Sequence, residues 1–302
     1  MGTRLGMIGF GEVGQIFARE LSGKPGIDRI EAWDILFNDA GAAGERIRQA
    51  SDTLGIARAR SAADLCSRST LLISAVTASN DLAVAREAAA ALVPGTFLVD
   101  LNSASPGTKK TAAQAIDEAG GHYVEAGVMT SVPPYGIRVP MLLGGSKAEE
   151  IALTFTQWGM DASVVSSDIG VASAIKMSRS IMIKGLEALV IEAYTNARAY
   201  GVEKHVLATL EETFPNMDWP AQGAYFFSRV VQHGQRRAEE MRESANTVAE
   251  RGIEPLMTSA IARKHQWIAD LARDGAFSEV PAKAAWEDYA DVLVRKFDQK
   301  PG

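Results

Sequence analysis

The stretch that most restricts what this chain can fold into is RLGMIGFGEVGQIFARELSG, residues 4–23. Leu5 to Ile8 reads as a short buried strand. Gly9, Gly11 and Gly14 follow as G-x-G-x-x-G, and Ile16, Phe17 and Leu21 then recur at helical spacing. A strand feeding a helix through these glycines opens a dinucleotide-binding unit. The first glycine allows a tight turn, the second lets the backbone approach a pyrophosphate, and the third lets helix and strand pack closely. The free N–H groups at the helix start suit phosphate oxygens. Gly9, Phe10, Gly11, Glu12, Val13 and Gly14 are therefore the expected cofactor loop. Arg29 to Asp34 reads as a second strand ending in an acid 20 residues after Gly14, where a carboxylate binds the ribose hydroxyls. An acid there repels a 2′-phosphate and no basic residue directly follows it, which favours NAD over NADP.

The alternation continues. Strands are expected at 69–76, 96–102, 122–129 and 139–145. Helices are expected at 81–93 and from the Ser105-Pro106 start signal. Strands alternating with helices imply a parallel sheet wound on both faces, with ligands beyond the carboxyl ends of the strands. That rule gathers Val76 and Thr77, Asn102 and Ser103, and Met129, Thr130 and Ser131 around one crevice. After residues 162–170 the period becomes helical and stays so. The fold class is α/β: a Rossmann-type doubly wound parallel sheet over 1–168, followed by an all-α domain over 169–302. The run SAIKMSRSIMIKGLEALVIEAYTNARAYG reads as one long helix ended by Gly201. It is apolar on several sides yet carries Lys176, Arg179 and Lys184.

Composition narrows the function classes. A net charge of −6 with no basic stripe argues against nucleic acid. One cysteine, Cys66, excludes an intramolecular disulfide and fits a reducing compartment. No cysteine pair or His-Glu-x-x-His pattern offers a metal site. No signal peptide or membrane-length apolar run occurs. The expectation is a cytoplasmic soluble protein that takes a small-molecule substrate and binds no membrane. The long apolar helix suggests a homodimer.

Taken in order, these motifs resemble the β-hydroxyacid dehydrogenase superfamily, which includes 3-hydroxyisobutyrate, tartronate-semialdehyde and 6-phosphogluconate dehydrogenases. The glycine motif corresponds to Gly9–Ala18, and the acidic strand end to Asp34. The D-x-S-T-x-x-P segment falls on Asp100–Pro106. The substrate loop D-A-P-V-S-G-G falls on Glu125–Ser131, and the helix G-x-x-x-A-x-K-x-x-N-N on Gly170–Ser180. The chain departs from that pattern at Met129, Thr130 and Ser131, which replace Ser-Gly-Gly, and at Arg179 and Ser180, which replace the two asparagines. Its second half resembles a less characterised branch with a distinct C-terminal helical domain.

The resemblance implies that Lys176 is the general acid/base beside the nicotinamide. A free lysine has a pKa of about 10.4, and burial beside a cationic ring lowers it into a useful range. The implied reaction is hydride transfer between NAD and a small hydroxy acid or related polar alcohol. The alternatives are oxidative decarboxylation, imine reduction, or a non-catalytic NAD-binding regulator. Ser180 lies one helical turn after Lys176 and can orient the amine. Met129, Thr130, Ser131, Arg179, Lys184 and His233 are the candidate substrate contacts. In HGQRRAEEM, residues 233–241, two readings stand: a solvated helix face with an Arg236–Glu240 pair, or an anion pocket of His233, Arg236 and Arg237.

Overall fold

The computed structural model describes residues 2–298. They divide into two compact units, the first ending at Met177 and the second starting at Ser178, and the division falls within one continuous helix. Nine residues of that helix and its lead-in, 169–177, thus go with the first unit rather than with the helical domain expected to begin at 169.

In the first unit the chain runs β1 (Thr3–Ile8), α1 (Glu12–Leu21), β2 (Ile27–Trp33), α2 (Ala42–Leu54), β3 (Ala57–Arg58), α3 (Ala62–Arg68), β4 (Leu71–Ser74), α4 (Asp81–Ala89), β5 (Phe97–Asp100), α5 (Pro106–Glu118), β6 (His122–Val128), β7 (Met141–Gly144), α6 (Ala148–Gln157) and β8 (Ala162–Ser166). The strands form one sheet in the order β3-β2-β1-β4-β5-β6-β7-β8. β1 to β6 are mutually parallel. β7 runs antiparallel to β6, so the expectation of a wholly parallel sheet needs correction there. The physical reason lies in the connection from β6 to β7. It carries no helix long enough for a parallel crossover, only a loop with a short 3-10 turn at Gly136–Arg138, and such a link returns the chain antiparallel. β8, which the sequence reading did not identify, pairs parallel with β7 at the sheet edge.

The two faces carry separate cores. One packs Phe10, Phe17, Leu21, Phe155 and Trp158 against the strands; the other packs Leu65, Cys66, Ala112 and Ile116. Burial on both faces explains why Leu71 to Ile73 of β4 and Phe97 to Val99 of β5 are unbroken apolar runs. Ser105 caps α5 by accepting from the Thr108 N–H at 3.3 Å, with Pro106 in the first turn, as the sequence signal implied.

The second unit continues α7 (Val171–Tyr200) and adds α8 (Glu203–Thr213), α9 (Trp219–Ala249), α10 (Leu256–Arg273) and α11 (Trp286–Asp298). Its core centres on Tyr194, Phe227, Val230, Ile268 and Trp286. α9 breaks helical geometry at His233 (φ −132°, ψ 17°). At the next residue a Cβ on Gly234 would lie 2.9 Å from the His265 carbonyl oxygen, so the glycine lets α9 and α10 meet backbone to backbone.

Candidate active site

Sheet order reverses between β1 and β4, because β2 and β3 lie to one side of β1 and the later strands to the other. Ligands of doubly wound sheets bind at this switch point, beyond the carboxyl ends of the strands. The cofactor loop sits there. Gly9 has φ +90°, and a Cβ on it would lie 2.4 Å from the Ala75 carbonyl oxygen; a Cβ on Gly14 would lie 2.2 Å from the Gly9 carbonyl oxygen. Both glycines are therefore structural. Gly11 differs: no protein atom lies within 4 Å of where its Cβ would be, and no side chain caps the helix it starts. The space at Gly11 and the open helix terminus fit a pyrophosphate. Asp34, at the end of β2, accepts from the Phe10 N–H at 2.7 Å and the Leu36 N–H at 2.9 Å. Its carboxylate thus also ties the second strand to the glycine loop.

Strand register aligns Ile8 with Ser74, Ser74 with Asp100, and Asp100 with Glu125. Two residues on, Phe10, Val76, Asn102 and Gly127 come level at the carboxyl edge. The Asn102 side chain accepts from the Val76 N–H at 2.7 Å and donates to the Ser74 hydroxyl at 2.9 Å and to Asp81 at 2.8 Å. It therefore joins the segments that follow β4 and β5. Lys176 enters the same region. A Cβ on Gly127 would lie 3.1 Å from the Ala172 carbonyl oxygen and 3.6 Å from the Lys176 Cβ. The close approach of α7 to β6 at this glycine puts the half-buried lysine near the end of β6, the strand that leads into Met129 to Ser131.

Beneath this edge lies a charged network that sequence reasoning missed. Lys109 is 1% exposed and sits 2.7 Å from Asp100 and 3.4 Å from Asp81, both as deeply buried. Tyr123 donates to Asp100 at 2.5 Å. Burial opposes charge on Lys109, but Asp100 and Asp81 outweigh it and hold the ammonium above its usual range. Burial would raise Asp100, but Lys109 and its hydrogen-bond donors hold it below the usual carboxylate range. For Asp81, burial wins over Lys109, with repulsion from Asp100 adding, and pushes it up to about 7. The available signal was an acid ending a buried strand, Asp100, followed by a lysine on an Ala-rich helix.

The other candidates belong to the second unit. Arg179 is exposed. Lys184 is buried and committed: its amine lies 2.8 Å from Glu240 and donates to the Ser180 hydroxyl at 3.2 Å. His233 occupies the kink of α9 and is half-buried. In HGQRRAEEM the Arg236–Glu240 pair of the first reading is present, while Arg237 is paired inside the second unit rather than part of an anion pocket. Arg236 is exposed and faces Glu240 at 3.7 Å, whereas Arg237 is buried and donates to Glu187 at 2.7 Å. Glu187 is 1% exposed and His265 fully buried, 3.7 Å apart. Burial raises the Glu187 carboxyl despite Arg237 and Lys184. Burial, aided by Arg237 and Lys184, pushes His265 down to about 3.

The profile described as the NAD binding domain of 6-phosphogluconate dehydrogenase matches residues 4–156. The chain belongs to that NAD-binding family. Residues 197–268 match a domain of unknown function, DUF1932. Among solved structures, a conserved hypothetical protein from Sinorhizobium meliloti is 36% identical over 98% of this chain and 97% of its own, with a TM-score of 0.75. A conserved protein of unknown function, described as structurally similar to 3-hydroxyacid dehydrogenases, is 34% identical over 89% and 98%, with a TM-score of 0.67. The 3-hydroxyisobutyrate dehydrogenase of Mycobacterium tuberculosis, solved with L-serine, shares the fold at 15% identity over 97% and 99%, with a TM-score of 0.68. No helix among the described residues is long and apolar enough to cross a membrane.

Proposed function

We propose that the protein is an NAD-dependent oxidoreductase that moves hydride between nicotinamide and a small hydroxy acid or related polar alcohol. Lys176 serves as its general acid/base. The observation that carries this reading is that Lys176 packs on Gly127 near the carboxyl end of β6, the residue that register brings level with Asn102 and Val76. Nicotinamide, when bound, supplies the hydride acceptor or donor. In oxidation the Lys176 amine takes the hydroxyl proton; in reduction it returns a proton to the forming alkoxide. Met129, Thr130 and Ser131 form the adjoining wall. In the second unit, Arg179, Lys184 and His233 stay candidate substrate contacts, and Ser180 stays the candidate for orienting the amine.

A preference for NAD over NADP is supported by Asp34 and by the absence of a cation directly after it. The nearby Arg48 donates instead to the Phe37 and Asp39 carbonyls, at 3.0 and 2.6 Å. We read the protein as a cytoplasmic homodimer joined through the second unit, where Met182, Leu189, Leu256 and Met257 are each more than half exposed. Sedimentation showing monomer alone at micromolar concentration would remove that part.

The test compares wild type with Lys176→Ala on a hydroxy-acid panel including 3-hydroxyisobutyrate and L-serine, with both NAD and NADP. Turnover should fall about 10²–10⁴-fold, while NADH binding, followed by fluorescence, stays within about twofold because Lys176 is not part of the glycine loop. Undiminished turnover in the variant removes Lys176 from the mechanism. NADH binding without turnover across the panel favours the non-catalytic reading.

A further inference from the structure

Glu125 stands in a strand of otherwise apolar or small residues, HYVEAGV, and is 1% exposed. Its neighbour on β7 is Gly144, and a Cβ there would lie 2.6 Å from Glu125 Oε1. The adjacent strand makes room for this carboxylate by carrying no side chain. Into that niche points the start of the lysine helix. Oε1 accepts from the Gly170 N–H at 2.7 Å and the Ala172 N–H at 3.1 Å, and Oε2 from the Ser173 N–H at 3.3 Å. Helix starts leave N–H groups without intrahelical partners. Here three are satisfied by a carboxylate from another element, with the charge sign that the helix dipole favours. Gly170 has φ +106°, a conformation that favours glycine, and this turns its N–H toward the acid.

Two residues further along β6, on the same face, Gly127 admits the helix backbone beside Ala172 and Lys176. β6 thus holds α7 at two points, and Lys176 follows the second by one turn. Lys109 feels the charge of Glu125, Asp100 is the partner of Glu125 in register on β5, and the Lys110 side chain approaches Gly170.

We propose that Glu125 is a positioning residue for Lys176. Its carboxylate clamps the first turn of α7 onto β6, fixing where the amine meets the carboxyl edge of the sheet, and adds negative potential at that amine. The inference rests on Lys176 being the general acid/base.

The test uses the full chain as wild type, Glu125→Gln, Gly144→Ala and the surface control Glu149→Gln. Two readouts are followed: amide hydrogen exchange over residues 168–180, and trace acetylation of the Lys176 amine by acetic anhydride, read by mass spectrometry from about pH 6 to 11. In Glu125→Gln, losing charge-assisted bonds should speed exchange at residues 170–173 roughly 10- to 100-fold. The midpoint of Lys176 acetylation should move down by about half a unit or more, because a nearby negative charge is gone. In Gly144→Ala the carboxylate is displaced with its charge kept, so exchange quickens while the midpoint moves less. Unchanged exchange at 170–173, or a Glu125→Gln midpoint equal to that of the control, overturns the proposal. Should Glu125→Gln not fold, Gly144→Ala decides through its exchange alone. Neither readout uses turnover, so the result stands apart from the outcome for Lys176→Ala.

Discussion

Arg237→Met tests the electrostatics of the second unit. The arginine is about nine-tenths buried and donates to Glu187 at 2.7 Å, and Glu187 is 1% exposed. Removing one partner of a buried pair strands the other, which costs about 3–5 kcal/mol. Lys184 and Arg229 also draw Glu187 toward its charged form, which sets the expectation near the lower end, about 3 kcal/mol. For a unit of this size that corresponds to a Tm lower by roughly 10–15 °C. The assay is urea unfolding followed by tryptophan fluorescence and circular dichroism at pH 7.5 and pH 4.5.

The pH dependence follows from Glu187. Burial raises its folded pKa above the ordinary 4.5, so its contribution to stability is greatest below 4.5 and declines as pH rises through the folded value. Without Arg237 the folded value rises further. The loss should therefore be larger at pH 7.5 than at pH 4.5, where Glu187 takes up a proton. Adding Glu187→Gln to Arg237→Met removes the stranded charge and should recover most of the loss, with little dependence on pH. A single variant that loses under about 1 kcal/mol at pH 7.5, or a double variant no better than the single, would refute the reasoning.

Two further outcomes follow from the same geometry. Gly11→Ala should fold with a nearly unchanged Tm, since no protein atom lies within 4 Å of the added Cβ, yet NADH affinity should fall about tenfold or more. Gly14→Ala, whose Cβ would meet the Gly9 carbonyl at 2.2 Å, should lower the Tm itself; equal Tm values for the two would contradict the assignment. His265, neutral and fully buried, has its pKa pushed down to about 3. Its depressed value means stability is full above the ordinary 6.5 and is lost as pH falls toward about 3. His265→Leu should flatten that acid slope in urea titrations, and an unchanged slope would exclude His265 as its source.

Much of the placement of the candidate site was legible in sequence because its signals are local. Gly9 and Gly11 lie between β1 and α1, and Gly14 lies in the first turn of α1. Asp34 ends the next strand. Lys176 follows Gly170 at fixed spacing on one helix. Each depends on the conformation of a few neighbouring residues, which periodicity reports directly. The change of period from alternating elements to continuous helix was legible for the same reason, whereas the division between the two compact units falls after Met177, inside that helix.

What only the tertiary structure decided involves residues far apart in the chain. Glu125 and Gly170 are separated by 45 residues, and Arg237 and Glu187 by 50. No local period shows that these groups meet, or that Gly144 leaves room for one of them. The direction of β7 and the pairing of β8 likewise depended on which edge the chain returned to. Sequence by itself determined the nucleotide loop, the order of elements and the helix that bears the lysine, because backbone geometry and side-chain period are short-range. The tertiary structure decided which charges are buried and what each one holds, because desolvation and pairing take their values only once distant segments close against each other.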